Sequence, residues 1–284
     1  MSQPVRIGIA QISGEPFALE VNRKQAAGAI VTAFEHEADI VVLPEMIVHG
    51  YVADWRKLST IAETVPGPTV EAWTKLAAEA GAYVVGGLCE IDGEALYNTA
   101  VAVGPQGLIA HYRKVHLFGR EKIAFRPGNL GFPVADTRFG TIGLCVCYDL
   151  RFVEVVRILA LKGADLICVP TAWLPGFDEE RWDAEGMCPQ AKGAVLQANL
   201  NQVYIACASQ AGQHGDLDFL GSSVLADPYG HKVIGPLSGS EDEVRVVEVD
   251  IGAAKKAQVR GELIAPRADR RTDVYRILAD GREL

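Results

Sequence analysis

The chain has 284 residues, 49% of them hydrophobic, which is enough for a sizeable core in one α/β or two-sheet domain. Its formal net charge of −9 argues against binding to nucleic acid or to an anionic membrane surface. No apolar run approaches the roughly 20 residues that span a membrane, and the N-terminal MSQPVRIGIAQI lacks a signal-peptide pattern, so we expect a cytoplasmic protein without nucleic-acid or membrane partners.

The first half of the chain predicts alternating strands and helices. The apolar periodicity indicates helices over 19–36 and 69–80, the second of which ends at Gly81. Buried or half-buried strands are predicted at 5–12, 38–46, 82–90, 97–103 and 107–115.

The second half repeats this order. Helices are predicted at 151–163 and near 189–200, and strands at 140–149, 164–170, 203–210, 219–226 and 243–250. No Pro/Gly/Ser-rich linker interrupts the chain, so we expect a single domain over 1–284. The charged tail, 252–284, is expected to pack on the surface or on a partner subunit.

A short repeat predicts internal duplication. The segment 38–44 (ADIVVLP) matches 164–170 (ADLICVP), and each is preceded by a helix and by an Ile-Gly-aliphatic strand. Two such strand–helix–strand units indicate an α/β core with pseudo-two-fold symmetry. Ligands of α/β sheets bind beyond the carboxyl ends of the strands, and Glu45, Cys147, Trp173 and Leu174 all follow such ends.

The six cysteines could form disulfides, bind a metal, or remain free thiols. Six cysteines in a chain of this length do not make a disulfide framework, and in a reducing compartment most are expected to be buried thiols. The spacing of Cys145 and Cys147 is that of a metal or redox pair, but no second cysteine pair with ligand spacing exists. We therefore expect no metal, and since the sequence has neither a phosphate loop nor a dinucleotide fingerprint, we expect no cofactor.

Position alone leaves the candidate residues open. Cys147 lies at a strand-to-helix turn, where a helix N-terminus can lower a thiol pKa, but position alone favours a buried structural cysteine. Glu45, after the apolar IVVLP, is either solvated or a general base whose pKa is raised by burial. Lys114 is either a surface charge or functional, with Glu121 seven residues on as a neighbour. His116 is expected to be a hydrogen-bonding structural histidine.

Three separated motifs together resemble the nitrilase, or carbon–nitrogen hydrolase, superfamily: LPEM, YRKVHLFGREKIAFRPG and CVCYDLRFVE. The resemblance runs from RIGIAQI to ADRRTDVYRI and implies a four-layer α-β-β-α sandwich of two packed mixed sheets. It also implies a catalytic triad of Glu45, Lys114 and Cys147, with Glu121 supporting Lys114. Cys147 would form a thioester, while Lys114 and the backbone N–H of Tyr148 hold the oxyanion. Since family members usually form homodimers, which can assemble further, the resemblance also implies a homodimer or a higher homo-oligomer.

The string CYDLRF is similar to the omega-amidase branch, which implies a small amide substrate, often with a carboxylate at the other end. Trp173 and Leu174 match the family's substrate-facing loop; Arg151 could pair with such a carboxylate or with Asp149 or Glu154. The segment 174–200 departs from the family, with Gln197 and Leu200 replacing an arginine and an acid. The substrate therefore stays open.

An amidase of small non-peptide amides is the leading hypothesis. Within the family, the alternatives are an N-carbamoyl amine amidohydrolase and then a nitrilase. Outside it are a redox-responsive binding protein that uses both Cys145 and Cys147, and a catalytically silent subunit.

Overall fold

The computed structural model describes residues 4–176 and 178–284. Its strands, in chain order, are β1 (Pro4–Gln11), β2 (Ile40–Val42), β3 (Tyr83–Asp92), β4 (Ala95–Gly104), β5 (Gly107–Arg113), β6 (Val134–Thr137), β7 (Gly140–Leu144), β8 (Leu166–Thr171), β9 (Tyr204–Ser209), β10 (Ala211–His214), β11 (Leu217–Leu220), β12 (Val224–Ala226), β13 (Lys232–Ile234), β14 (Glu243–Asp250), β15 (Leu278–Ala279) and β16 (Arg282–Glu283).

The helices are α1 (Leu19–Glu35), α2 (Trp55–Leu58), α3 (Pro68–Ala80), α4 (Glu121–Ala124), α5 (Val153–Leu161), α6 (Pro189–Asn201) and α7 (Ala253–Lys256), with a 3₁₀ helix at Cys147–Arg151. Helix α3 ends at Gly81, whose φ of 63° is the left-handed cap that the sequence predicts.

Two six-stranded sheets carry the duplicated units. Their strand orders are β14-β1-β2-β3-β4-β5 and β13-β12-β9-β8-β7-β6. In the first, β1, β2 and β3 are parallel, and in the second β7, β8 and β9 are parallel. Helices α1 and α3 connect the first set of three, while α5 and α6 connect the second. Each sheet therefore contains one of the two predicted strand–helix–strand units.

The duplication extends to single hydrogen bonds. The carboxylate of Asp39 accepts from the backbone N–H of Arg6 at 2.8 Å. The carboxylate of Asp165, at the matching place in the second unit, accepts from the N–H of Thr141 at 3.1 Å. Each aspartate thus ties the start of one parallel strand to its neighbour.

The four layers follow from the alternation of side-chain direction along strands that are buried on both faces. Ile40 and Val42 belong to the core that also contains Ile142 and Leu144 of the second sheet. Val41, between them, belongs to a separate core that contains residues of α1 and α3. Each sheet therefore packs on the other sheet with one face and on helices with the other. This arrangement confirms the predicted α-β-β-α sandwich.

Some predicted elements differ in extent. The strand predicted at 140–149 ends at Leu144, because the chain turns into the 3₁₀ helix at Cys147. The strand predicted at 219–226 is divided between β11 and β12. The sequence analysis also missed several elements of two to four residues, among them α2, α4, α7, β13, β15 and β16, whose patterns are too brief to establish a period.

Several residues connect the tail after β14 to the rest of the chain, among them Arg260, Asp280 and Arg267. The Arg267 guanidinium donates to the carbonyl oxygens of Asn201, Gln202 and Ala160 at 2.6, 3.0 and 2.8 Å. It thereby satisfies carbonyls at the ends of α5 and α6, which have no partner within their helices. The tail thus contacts the surface of its own chain; its packing on a partner subunit and the domain bounds 1–284 stay predictions.

Candidate active site

The ends of three strands bring the predicted residues together. Glu45 follows β2, Lys114 follows β5 and Cys147 follows β7. The backbone N–H of Glu45 donates to the carbonyl of Thr171, the last residue of β8, at 3.2 Å, so the two sheets meet here. A side chain at Gly87 would put its Cβ 2.7 Å from the Cα of Glu45 and 2.5 Å from the next nitrogen. Glycine at position 87 therefore lets β3 pass behind the Glu45 backbone.

Lys114 lies between two buried carboxylates. Its Nζ donates to Glu45 Oε1 at 2.6 Å and to Glu121 Oε1 at 2.8 Å. The side chains of Lys114 and Glu45 are 0% exposed, and that of Glu121 is 2% exposed. The predicted contact between Lys114 and Glu121 is therefore present, and two carboxylates share one ammonium group.

Neutral donors complete the cluster. Asn98 Nδ2 donates to Glu45 Oε1 at 2.7 Å, and the Tyr51 hydroxyl donates to Glu121 Oε1 at 2.6 Å. The backbone N–H of Phe118 donates to Glu121 Oε2 at 2.9 Å. Glu45 Oε2 is buried and accepts no hydrogen bond from the residues described. One oxygen of Glu45 is thus available for a proton.

The charges of this cluster follow from its burial. Burial raises the pKa of Glu45, Lys114 lowers it and Glu121 raises it, with the result at about 7. Burial lowers the pKa of Lys114, but the two glutamates outweigh it and the pKa rises above its ordinary value. Lys114 is therefore a permanent cation near neutral pH, whereas Glu45 exchanges a proton there.

Cys147 occupies a strained turn. Its φ of 44° lies in the left-handed region, which is uncommon for a residue with a side chain. Burial and the charge of Glu45 raise the pKa of the thiol well above its ordinary value, although Lys114 lowers it. The sequence left open whether a helix N-terminus lowers this pKa; Cys147 begins only a five-residue 3₁₀ helix, and burial and Glu45 raise the pKa instead. The resting thiol is neutral.

Cys147 opens onto a cavity of about 220 Å³. The cavity also contains every substrate-binding residue predicted from the sequence, namely Trp173, Leu174 and Arg151, together with Tyr148. The rest of its wall is mostly apolar and includes Gln197 and Leu200, which replace the arginine and the acid of the family pattern. The residues of this wall are Phe118, Leu150, Val153, Ala172, Gln190, Gly193, Leu196, Gln197 and Leu200. Phe177, in the divergent segment, lies outside the described residues.

Cys145 differs from Cys147 in access rather than in acidity, because burial raises the pKa of both thiols. Cys145 is 0% exposed in the core and does not line the cavity, whereas Cys147 does. All six cysteines are free thiols. Within residues 4–176 and 178–284, no group of three or more His, Cys, Asp or Glu side chains could hold a metal ion. Within the same residues, no helix is long and apolar enough to cross a membrane.

The sequence analysis missed Tyr51, Asn98 and the role of Asp149. Asn98 carried a signal, since it is a polar residue inside the apolar strand β4 and is 1% exposed. Asp149 was considered as a partner of Arg151, but its carboxylate accepts hydrogen bonds from Tyr112 and His116. The second of these bonds confirms His116 as a hydrogen-bonding histidine. Tyr51 carried no sequence signal, because it lies in a loop.

Comparisons with known proteins show the family of the chain. The family model described as carbon-nitrogen hydrolase matches residues 6–258. A nitrilase of Pyrococcus abyssi is 36% identical over 95% of this chain and 99% of its own length. An omega-amidase of Xenopus laevis is 34% identical, with coverage of 90% and 91%.

A solved structure is similar over the whole fold. A mutant of the Nesterenkonia AN1 amidase, from the nitrilase superfamily, has a TM-score of 0.78 and 27% identity, covering 96% of both chains. A second structure of that amidase shows the result of Michael addition of acrylamide at its active-site cysteine, with a TM-score of 0.77, 26% identity, and coverage of 95% and 98%. The resemblance predicted from the three motifs is confirmed.

Proposed function

The chain belongs to the carbon–nitrogen hydrolase family, as an enzyme of that class, and we propose that it hydrolyses small linear amides to an acid and ammonia through a thioester on Cys147. The observation that carries the proposal is the buried Glu45–Lys114–Glu121 cluster beside a cysteine that opens onto a small cavity. In the Nesterenkonia relative, acrylamide adds to the active-site cysteine, which supports the choice of nucleophile.

The first step couples attack to proton transfer. The pKa of the Cys147 thiol is raised, so the thiol loses its proton only as sulfur bonds to the amide carbon and ceases to be basic. Glu45, with a pKa of about 7 and one oxygen without a hydrogen bond, accepts that proton.

Charge balance favours Lys114 as the oxyanion holder. At rest, two carboxylates and one ammonium give the cluster a net charge of −1. When Glu45 takes the proton, it loses its negative charge and an oxyanion appears on the substrate, so the total is unchanged. Lys114 loses its attraction to Glu45 as the oxyanion forms. The ammonium can therefore stabilise the oxyanion together with the backbone N–H of Tyr148.

The remaining steps use the same groups. Glu45 gives its proton to the amide nitrogen, the carbon–nitrogen bond breaks and ammonia leaves a thioester on Cys147. Glu45 then removes a proton from water, which attacks the thioester; the acid departs and the thiol regains its proton. No metal or cofactor takes part in these steps. Glu121 holds Lys114 throughout.

The cavity suggests the size of the substrate. Its volume of about 220 Å³ is below the ~300–1,000 Å³ of pockets for drug-sized ligands. Trp173 and Leu174 would contact the acyl chain, while Arg151 is exposed at the mouth, where a distal carboxylate could reach it. A cytoplasmic location and a homodimer stay predictions.

Ammonia release from a panel of small amides and carbamoyl amines tests the proposal. We expect wild type to release ammonia from amides, Cys147→Ala to be inactive, and the matched control Cys145→Ala to stay within threefold of wild type. Equal loss in both variants would favour the redox pair instead. Release of carbon dioxide with ammonia, from carbamoyl amines alone, would indicate the carbamoyl alternative. A folded wild type that turns over nothing would favour the silent subunit.

A further inference from the structure

One buried carboxylate connects the two segments that carry Lys114 and Cys147. Asp149 is 0% exposed. Its Oδ2 accepts from the Tyr112 hydroxyl at 2.7 Å and from the backbone N–H of Val146 at 3.0 Å. Its Oδ1 accepts from the backbone N–H and from Nδ1 of His116, at 3.0 and 2.8 Å. Each oxygen of the carboxylate thus has two donors.

Along the chain, these donors flank Lys114 and precede Cys147. Tyr112 and His116 stand two residues before and two residues after Lys114. Val146 directly precedes Cys147, and Asp149 follows it by two residues. The carboxylate therefore holds the backbone on both sides of the ammonium group to the turn that presents the thiol.

The backbone hydrogen bonds of Lys114 itself do not reach the Cys147 turn. Its N–H donates to the carbonyl of Asn98 at 2.8 Å, and its carbonyl accepts from Gly128 at 2.9 Å. These bonds fix Lys114 to the first sheet and to the loop after it. The Asp149 carboxylate adds a connection to the second sheet, where the Cys147 turn begins. The His116 ring also stacks on Phe152 at 3.6 Å between centroids, which holds the far end of the same turn.

We propose that Asp149 is a positioning residue, which sets the separation of the Cys147 thiol from the Lys114 ammonium group through its bonds to Tyr112, His116 and Val146. This inference rests on the proposed function. Both oxygens of the buried Asp149 carboxylate are taken by protein donors, which assigns it a structural contact and not a contact with the substrate. Its removal affects the step in which sulfur and oxyanion holder act together, and leaves substrate binding largely intact.

The experiment compares Asp149→Asn with the matched control Asp165→Asn. Asp165 is also a buried aspartate that accepts a backbone N–H near β7, but it lies at the other end of the strand. An error of about 1 Å in catalytic geometry can cost ~10²-fold. We expect Asp149→Asn to lower kcat about 10²-fold with KM within threefold, and Asp165→Asn to keep kcat within twofold even where its thermal midpoint falls.

A milder variant tests the same bond if Asp149→Asn does not fold. Tyr112→Phe removes one donor and leaves the carboxylate in place, so we expect kcat to fall about fivefold with KM unchanged. Both residues serve one interaction, so the double variant should be no slower than Asp149→Asn alone.

Two results would overturn the inference. One is a kcat of Asp149→Asn equal to that of Asp165→Asn; the other is a raised KM with an unchanged kcat. Cys147→Ala, measured beside them, separates this failure from that of the proposed function. If Cys147→Ala stays active, the proposed function is wrong. If it is inactive while Asp149→Asn matches its control, only the positioning role is wrong.

Discussion

Arg113 and Lys114 are neighbours in the chain, yet the glutamates they meet are perturbed in opposite directions. Arg113 Nε donates to Glu90 at 3.1 Å, and Lys114 donates to Glu45 at 2.6 Å. Burial raises the pKa of Glu90, but hydrogen bonds from His111, Arg113 and Thr99 outweigh it and bring the pKa to about 2. The pKa of Glu45 is about 7.

The difference lies in the supply of donors for each acid. Both oxygens of Glu90 accept hydrogen bonds, from a guanidinium, a hydroxyl and a histidine ring. Glu45 shares one ammonium with Glu121 and has an oxygen without a donor. A buried carboxylate that is saturated with donors stays ionised and structural, whereas one short of donors can take up a proton. We therefore separate a structural cluster, Glu90–Arg113, from a reactive cluster, Glu45–Lys114–Glu121.

The largest expected effect comes from neutralising the reactive acid. Glu45→Gln keeps the shape and the bond to Asn98 but cannot accept the thiol proton, so kcat should fall about 10³-fold. Ammonia release measures the loss. The separation of the two clusters would be contradicted if Glu90→Gln, which changes another buried glutamate, lowered kcat of the folded enzyme as much.

Neutralising the structural acid should act on stability instead. Glu90→Gln leaves the Arg113 side chain, 7% exposed, with the partly exposed Asp92 as its remaining carboxylate. Loss of one partner of a buried pair costs about 3 kcal/mol. Denaturant unfolding should show this loss, while kcat of the folded fraction stays within twofold. An unchanged unfolding midpoint would contradict the structural role.

The pH dependence should sharpen the contrast. Glu45 works as a base only when ionised, so kcat/KM should rise with pH to a plateau above about 7. Below that value it should fall about tenfold per pH unit. Glu90→Gln should keep the same midpoint, because Glu90 is not titrated in this range. A rate that is flat between pH 5 and 8 would show that Glu45 is not the base.

The sequence predicted the reactive cluster better than its surroundings. Strand ends alone left Glu45, Lys114 and Cys147 open as candidates, and the resemblance carried by the three motifs made them a predicted triad. The strand ends and the resemblance together indicated Trp173 and Leu174, which line the cavity. These residues could be predicted because strand ends and short motifs are local properties of the chain.

Residues that act through contacts distant in sequence were harder to predict. Tyr51 reaches Glu121 across 70 positions, and Tyr112 reaches Asp149 across 37. Nothing in the local pattern around either tyrosine indicates such a partner. The direction of the pKa shift of Cys147 was also left open, because neither the burial of the thiol nor the facing Glu45 is visible in the local sequence. Long-range electrostatics becomes visible only when the sheets are packed.

The most direct test of the account is to catch the acyl-enzyme. Wild-type protein, quenched in acid during turnover of a small amide and measured by intact mass, should gain the mass of the acyl group. Peptide mapping should place that mass on Cys147 rather than Cys145, and Glu45→Gln should gain it at least 10²-fold more slowly. An adduct on Cys145, or rapid turnover with no adduct on any cysteine, would contradict the account.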